Sequence, residues 1–450
     1  MKKLAYIKGL ILATALLGLE ALAGLSPLHA QVITLAEAYK RMMAGEIEFQ
    51  VLNLERDIAK ELAEQARGEL RPRIGLNFKV NHIDQNIISS DNKQYDEGQS
   101  SYGTRSVALT LTQPLYDPVA WRNLDVSQAQ TKLTHAKAEE ARNQLVGEMV
   151  DAFLDVAHAQ FALQRAKHVV GARRDFVEML NAQVEAGRAD LSAVLRAEGE
   201  ILSAEGDVSS AEMQLTEALF GFARYAGGDV SGVSLSNNNF GYVGSAALRK
   251  ALTRNSLLQM NPQMQIALAE VDIAKKVLHR TAGGYLPKAN VEAEVGIDDT
   301  DGSLFGGGSR VRTNKIGLSV DVPFYQGGQQ ASRMREQKLR LQIAERRLEL
   351  TRRMVLRQYD ALIAAERRAA ERAGVLSRQA NAANEALVTV RAEQGAGRVG
   401  ADSVLERKLN ADVIALERQA ARLQQLRLQM QLYRLFGALD VEALSRQLNG

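Results

Sequence analysis

Proline placement decides most of what this chain can become. Its seven prolines stand at 27, 72, 114, 118, 262, 287 and 323, so none falls between 119 and 261 or after 323. Both proline-free stretches are rich in Ala, Leu, Glu, Gln and Arg, the strong helix formers. Residues 119–186 as one helix would reach ~100 Å at about 1.5 Å per residue, and residues 327–396 about as far. Globular helices average only ~11–12 residues, so these belong to something elongated. Within the first stretch Leu145, Met149, Ala152, Val156, Ala159, Leu163, Ala166 and Val170 alternate steps of four and three. That spacing keeps one seam toward a partner helix and predicts left-handed supercoiling. An exposed helix of this length is not stable alone; packing must supply it.

The chain also repeats itself. Asp57-Ile58-Ala59-Lys60 returns as Asp272-Ile273-Ala274-Lys275, and Leu70-Arg71-Pro72 is answered by Tyr285-Leu286-Pro287. Pro114-Leu115-Tyr116 matches Pro323-Phe324-Tyr325, Gly187-Arg188 matches Gly397-Arg398, and Val194-Leu195 matches Val404-Leu405. Leu219-Phe220-Gly221 meets Leu435-Phe436-Gly437. Matches in one order at near-constant offset indicate a duplicated unit, far longer than a short-repeat solenoid allows. The first repeat is expected over 31–247, with a β-hairpin at 73–113 and a long helical pair at 119–222. The second is expected over 248–450, with a hairpin at 288–322, a helical pair at 327–436 and a C-terminal segment.

The hairpins are read from alternation. Ile74, Leu76, Phe78 and Val80 alternate with polar residues, as do Val107, Leu109 and Leu111. In the second half Val291, Ala293, Val295 and Ile297 alternate, then Ile316, Leu318, Val320 and Val322. Period two means a strand with one apolar and one polar face. Polar segments 83–104 and 298–312 read as the hairpin loops. Four strands of about ten residues are too few to close a membrane barrel, which needs about eight or more because open edges cannot face lipid. The strands must be pooled across subunits.

Residues 1–30 read as a secretory leader, with Lys2, Lys3 and Lys8 before an apolar run and cleavage options after Ala23 or Ala30. No later segment approaches the ~18 apolar residues of a transmembrane helix. There is no cysteine, which excludes a disulfide framework, a thiolate metal site, a cysteine nucleophile and an N-terminal lipidated cysteine. The net charge of +3 falls to near +1 once three leader lysines and Glu20 are set aside, which argues against nucleic acid as a partner. The arginine pairs 346–347, 352–353 and 367–368 interleave with Glu345, Glu349 and Glu366 and read as a solvated helix face.

A leader, two halves, and in each a helix, a Leu-Pro-like step, a hairpin and a long helical pair: this resembles the TolC family of outer-membrane export channels. The residues carrying the resemblance are Leu286-Pro287, Gln113-Pro114-Leu115-Tyr116-Asp117, Val322-Pro323-Phe324-Tyr325-Gln326-Gly327-Gly328, the turns 186–188 and 396–398, and Leu435-Phe436-Gly437-Ala438-Leu439. It covers nearly all of 33–440. It implies an α+β membrane protein: a homotrimer whose three chains pool four strands each into a twelve-stranded outer-membrane β-barrel. Long helices continue this barrel as a tube about 100 Å into the periplasm. An equatorial belt is nominated at 223–247 and 438–450. The implied partners are outer-membrane lipid, a periplasmic adaptor (membrane fusion) protein and an inner-membrane ABC or proton-driven transporter.

The resemblance also assigns candidate sites. Gly187, Arg188, Gly397 and Arg398 would form the periplasmic tip, which in the family rests closed and opens like an iris. Asp402 and Glu406, four apart and hence on one helix face, are the aperture candidates. Glu406 matches the second family carboxylate, while Ser403 stands where the first would be. A solvated coiled-coil face explains the same pair equally well. Pro114, Tyr116, Pro323 and Tyr325 mark the strand-to-helix junctions, with Trp121 and Phe324 beside them. The prolines would end the strand ladder because they lack a donor. The aromatics would anchor the barrel at the membrane interface or simply pack the junction.

Enzymatic readings fail. Gly395-Ala396-Gly397-Arg398-Val399-Gly400 spells GxGxxG, but a helix-rich run precedes it where a strand is required. The histidines at 29, 82, 135, 158, 168 and 279 include no i,i+3 or i,i+4 pair, so neither a metal nor a cofactor is expected. The expected function is a passive exit duct in a tripartite export system, with type I protein secretion favoured over drug or small-molecule efflux. A rival of a different class, a periplasmic coiled-coil adaptor or structural protein without a pore, predicts no alternating strands between the prolines and no heat-modifiable trimer in outer-membrane fractions.

Overall fold

The computed structural model of the chain describes residues 31–45, 47–88, 98–188, 190–228, 230–234, 253–302, 307–439 and 441. The leader, residues 89–97 and 303–306 of the hairpin segments, and most of the nominated belt lie outside the described residues. The elements in order are β1 (Gln31–Ile33), α1 (Leu35–Gly45), α2 (Ile47–Gly68), β2 (Arg73–Ile87), β3 (Gly98–Tyr116), α3 (Pro118–Glu185) and α4 (Leu191–Ala226). There follow β4 (Val230–Val233), α5 (Arg254–Met260), α6 (Pro262–Ala282), β5 (Lys288–Thr300), β6 (Ser309–Asp321), α7 (Gln329–Gly395) and α8 (Ala401–Leu435). They form two units. One comprises residues 1–50, 141–257 and 356–450; the other comprises 51–140 and 258–355.

The second of these units holds one antiparallel sheet in the order β2-β3-β5-β6. The four-strand sheet removes the pore-less adaptor reading, which predicted none. The strands also run further than their apolar alternation. Residues 83–87 and 98–104, expected as loop, continue the ladder without regular apolar alternation; so do 298–300 and 309–312. Side chains replace apolar packing there: Ser101 Oγ lies 3.1 Å from His82 Nε2, and Asn81 donates to Thr104 at 3.3 Å. In the same unit α2 packs on the start of α3. Ala59 is buried between them, its carbonyl accepting from Thr131 at 2.9 Å, and Arg56 donates to His135 at 3.0 Å. Helix α6 starts from the Asn261 cap, whose Oδ1 accepts the Met264 amide at 2.9 Å, with Pro262 at the first helical position.

In the other unit the expected α3 seam lies inward: Leu145, Met149, Val156, Ala159 and Val170 are buried. A second seam, unforeseen from the heptads, adds Val146, Val150, Phe153 and Ala157. It serves a second neighbour. Phe153 meets Phe222 of α4 edge to face at 5.8 Å between ring centroids. The α3–α4 hairpin is held by Leu180, Val194 and Ala197, and the α7–α8 hairpin by Ala373, Leu376 and Ala421. A short parallel pair, β1 with β4, ties residues 31–33 to residues 230–233.

Candidate functional site

The sheet sorts its side chains by face. Register places Ile74, Leu111, Ala293 and Ile316 in one row, with Leu76, Leu109 and Val295 in the next and Phe78, Val107 and Ile297 beyond. On the other side of the central row stand Val291 with Leu318, then Ala289 with Val320. This apolar face is open to solvent in the single chain: Ile316 is 81% exposed and Leu76 71%. From Ala289 to Ile297 it spans ~27 Å along the strand at about 3.4 Å per residue, or ~20 Å once the strands tilt by ~40°. That is close to the ~25 Å apolar band of a membrane barrel. Arg105, Asp299 and Arg310 close it at one end. The opposite face carries Thr110, Glu294 and Lys315 in one row and Lys79, Ser106 and Asp298 in another. Among the described residues the outer edges of β2 and β6 have no partner strand.

At the first junction the structure corrects the role given to Pro114. It does not end the ladder: Pro114 pairs with Asn290 and Tyr116 with Ala289, with Leu115 as the extra residue of a bulge. The reason is local. Pairing with β2 stops at Thr112, so Pro114 lies where only one edge is bonded, and its missing donor is tolerated there. The Gln113 amide covers the freed backbone, donating to Leu70 O at 3.1 Å and Pro114 O at 2.7 Å. Pro323 does lie beyond its strand, which ends at Asp321. Tyr116 meets Trp121 edge to face at 5.2 Å, while Phe324 and Tyr325 are almost fully exposed.

Asp117, the last residue of the Gln113–Asp117 motif, organises this junction. Its Oδ1 accepts the Val119 and Ala120 amides at 2.9 and 3.0 Å, capping α3. Its Oδ2 accepts from Lys288 Nζ at 3.0 Å, tying the start of α3 to the start of β5. Burial alone would raise this carboxyl, but the Ala120 amide, Lys288 and the Val119 amide together hold it below the usual range. Asp followed by Pro at a strand's end is a helix-start signal that could have singled it out.

The two expected turns share one design. Gly187 and Gly397 have φ of 67° and 71°, the left-handed region that glycine enters without a Cβ penalty. Arg188 N bonds to Gln183 O at 2.7 Å and Gly187 N to Val184 O at 2.9 Å; Arg398 N to Glu393 O and Gly397 N to Gln394 O repeat this at 2.9 Å each. Both are Schellman caps. Their exits differ. Asp190 caps α4 by accepting the Ser192 amide and hydroxyl, which hold its carboxyl below the usual range. Helix α8 starts from Gly400 with no side-chain cap, and the Asp402 carboxylate folds back over the space a side chain at 400 would fill. Asp402 and Glu406 both lie exposed on the first turns of α8, as do Arg188 and Arg398 on the turns themselves.

A polar cluster unforeseen from sequence joins α3 to α8. Arg427 bonds Asp155 and approaches Asp151 at 3.9 Å; Arg434 lies 3.7 Å from Asp151, and its carbonyl accepts from Asn143 at 2.8 Å. Burial pushes the Asp151 carboxyl up, beyond what the two arginines offset. Gly147 makes room, since a Cβ there would press on the Arg434 side chain. Among the described residues no group of three or more His, Asp or Glu could hold a metal ion.

Comparison with known proteins agrees with this geometry. The family profile described as "Outer membrane efflux protein" matches residues 39–228 and 253–438, one match for each repeat. The "Outer membrane protein TolC" of Vibrio cholerae is 24% identical over 336 residues, covering 73% of each chain. The "Alkaline protease secretion protein AprF" of Pseudomonas aeruginosa is 19% identical over 304 residues, 67% of this chain and 63% of that one. Among solved structures, that of CusC superposes with a TM-score of 0.72 at 14% identity, over 90% of this chain and 92% of that one. Such proteins are channels of the outer membrane and not enzymes, with strands forming a β-barrel and long helices continuing it on the periplasmic side. The chain belongs to the outer membrane efflux protein family and is a channel of the TolC type.

Proposed function

We propose that three copies of this chain close a twelve-stranded barrel and serve as the passive outer-membrane duct of a type I protein secretion system. An adaptor and an inner-membrane transporter would engage it from the periplasm. The observation that carries the duct is the sheet: one apolar face close in height to the apolar band of a membrane barrel, one polar face, and two open edges. Lipid tolerates no open strand edge, so β2 and β6 require partners, and copies of the same sheet supply them. Protein cargo is favoured by relatives named for protease secretion, AprF of Pseudomonas aeruginosa and PrtF of Dickeya chrysanthemi. The family's description as efflux proteins supports a second reading, small-molecule efflux through the same duct.

In this proposal Gly187 and Gly397 form the periplasmic tip, and three copies of Asp402 and Glu406 ring its closed aperture and favour cations. Expression in a host lacking its own channel but carrying a protease exporter and adaptor separates the cargo readings. Restored protease in the medium supports secretion. Restored drug resistance without secreted protease would move the assignment to efflux.

A further inference from the structure

The apolar face of the sheet ends in arginine. Strands β2, β3, β5 and β6 together hold four arginines and three lysines. Lys79, Lys288 and Lys315 all stand on the polar face, and Arg73 stands with them. The other arginines, Arg105, Arg310 and Arg312, stand on the apolar face, in its last two rows on the hairpin-loop side. Arg312 pairs with Ile297 in the row of Phe78 and Val107, whereas Arg105 and Arg310 flank Asp299 in the row of Val80. With the long helices on the periplasmic side, this end of the face meets the outer leaflet.

Depth makes this placement costly unless an anion answers it. From Ile316 in the middle row, Arg312 is ~14 Å along the strand at about 3.4 Å per residue, or ~10 Å once the strand tilts by ~40°. Arg310 comes out at ~16 Å by the same measure. The apolar band of a membrane barrel reaches only ~12 Å from its middle, so the two residues straddle its boundary. Arginine stems are long enough to bring both guanidinium groups to that boundary. The chain does not neutralise them there. Arg105 lies 3.6 Å from Asp301, but Arg310 and Arg312 have no ion pair or hydrogen bond among the described residues. The two boundary rows set three arginines against Asp299 alone, and the sign reverses further out, at Asp301 and Asp84. Negative charge is therefore wanted at headgroup depth and not above it.

We infer that Arg310 and Arg312, with Arg105 beside them, hold the phosphate groups of an outer-leaflet phosphoglycolipid whose acyl chains lie along Phe78, Val107 and Ile297. Arg310 and Arg312 stand ~7 Å apart on one strand, and Arg105 is two strands from Arg310 at ~10 Å, so one headgroup with two phosphates can span them. A guanidinium grips phosphate with two parallel hydrogen bonds where an ammonium offers a point charge, which accounts for arginine here and lysine on the other face. The site lies within one chain. It rests on the outer-membrane barrel and on no particular cargo.

The test uses the full-length oligomer, extracted from outer membranes and stripped of lipid by detergent exchange. It is titrated with bisphosphorylated lipid A, monophosphorylated lipid A, phosphatidylglycerol and inorganic phosphate, and bound lipid is counted by native mass spectrometry. The parent should bind bisphosphorylated lipid A most tightly, and excess inorganic phosphate should not displace it. Arg310→Gln with Arg312→Gln should weaken that binding about tenfold or more. Lys79→Gln with Lys315→Gln removes the same charge from the polar face and should leave it unchanged. Arg312→Lys keeps the charge and should still lose about threefold, which decides the matter if the double arginine variant fails to assemble. Binding by either arginine variant equal to the parent, or an equal loss in the lysine variant, would overturn the site. Phosphatidylglycerol held as tightly as lipid A, or displacement by inorganic phosphate, would overturn the assignment to a phosphoglycolipid. If the unmodified chain forms no outer-membrane oligomer, the duct itself fails.

Discussion

Asp117→Ala should loosen the start of α3 by an amount the structure sets. The carboxylate caps two first-turn amides at 2.9 and 3.0 Å, and losing such a cap costs about 1 kcal/mol. It also pairs with Lys288, whose side chain is 44% exposed against 18% for Asp117, so the ion pair adds only ~0.5 kcal/mol. The sum, ~1.5 kcal/mol, is about a tenfold change in local opening. Asp117→Asn keeps an equally good cap acceptor and loses only the charge, so its effect should stay below about fivefold. Amide hydrogen exchange of peptides spanning 117–123, corrected for intrinsic rates, reads both. The pH dependence follows from the depressed carboxyl. Its stabilisation is complete above the unfolded value of about 3.9 and is lost as pH falls through the lower folded value. Unmodified protein should therefore lose protection at 119–120 below about pH 4, a step missing from the Asn variant. Equal exchange in the Ala variant and the parent, or equal effects of Ala and Asn, would refute the capping account.

Three further outcomes are expected. Asp402→Ala with Glu406→Ala should weaken cation preference and relieve block by divalent or trivalent cations in single-channel recordings; unchanged recordings would reduce the pair to surface charge. Ile316→Lys, in the middle row of the apolar face, should cost ~2–4 kcal/mol of stability in lipid, while Thr110→Lys on the polar face should cost far less; equal urea midpoints would contradict the assigned faces. Asp151→Asn should be within about 1 kcal/mol of neutral at pH 7, or stabilising. Its carboxyl is raised, so its favourable contribution is full below the unfolded pKa and lost as pH rises through the folded one. A loss of ~3–5 kcal/mol on thermal unfolding, as for a broken buried ion pair, would show that the arginines outweigh burial.

What the sequence displayed and what it hid divide along physical lines. Alternation at 74–80 and 316–322 was legible because one face is apolar; residues 83–87 of β2 and 98–104 of β3 extend the ladder through mixed, mostly polar sequence, and periodicity is silent there. Pro114 misled because a missing donor matters only on an edge that is paired, and β2 has already ended beside it. The heptads revealed one seam of α3, whereas Val146, Val150, Phe153 and Ala157 needed the second helix in place before they counted as buried. The β1–β4 pair and the Asp151 cluster join residues some 200 to 290 positions apart through short or charged segments, and no local pattern announces them. Asp402 and Glu406 come from the resemblance, and both lie exposed on the first turns of α8; the Asp190 cap of the other turn shows that the two turns, alike in their glycines, differ in where the carboxylate sits.

The most direct measurement is of the assembled protein in a planar lipid bilayer. Detergent-extracted outer-membrane protein should run as a three-subunit oligomer that resists detergent until heated, and should insert to give discrete, long-lived conductance steps. Protein released from membranes by salt as a monomer, with no conductance on addition to the bilayer, would contradict the account at its root.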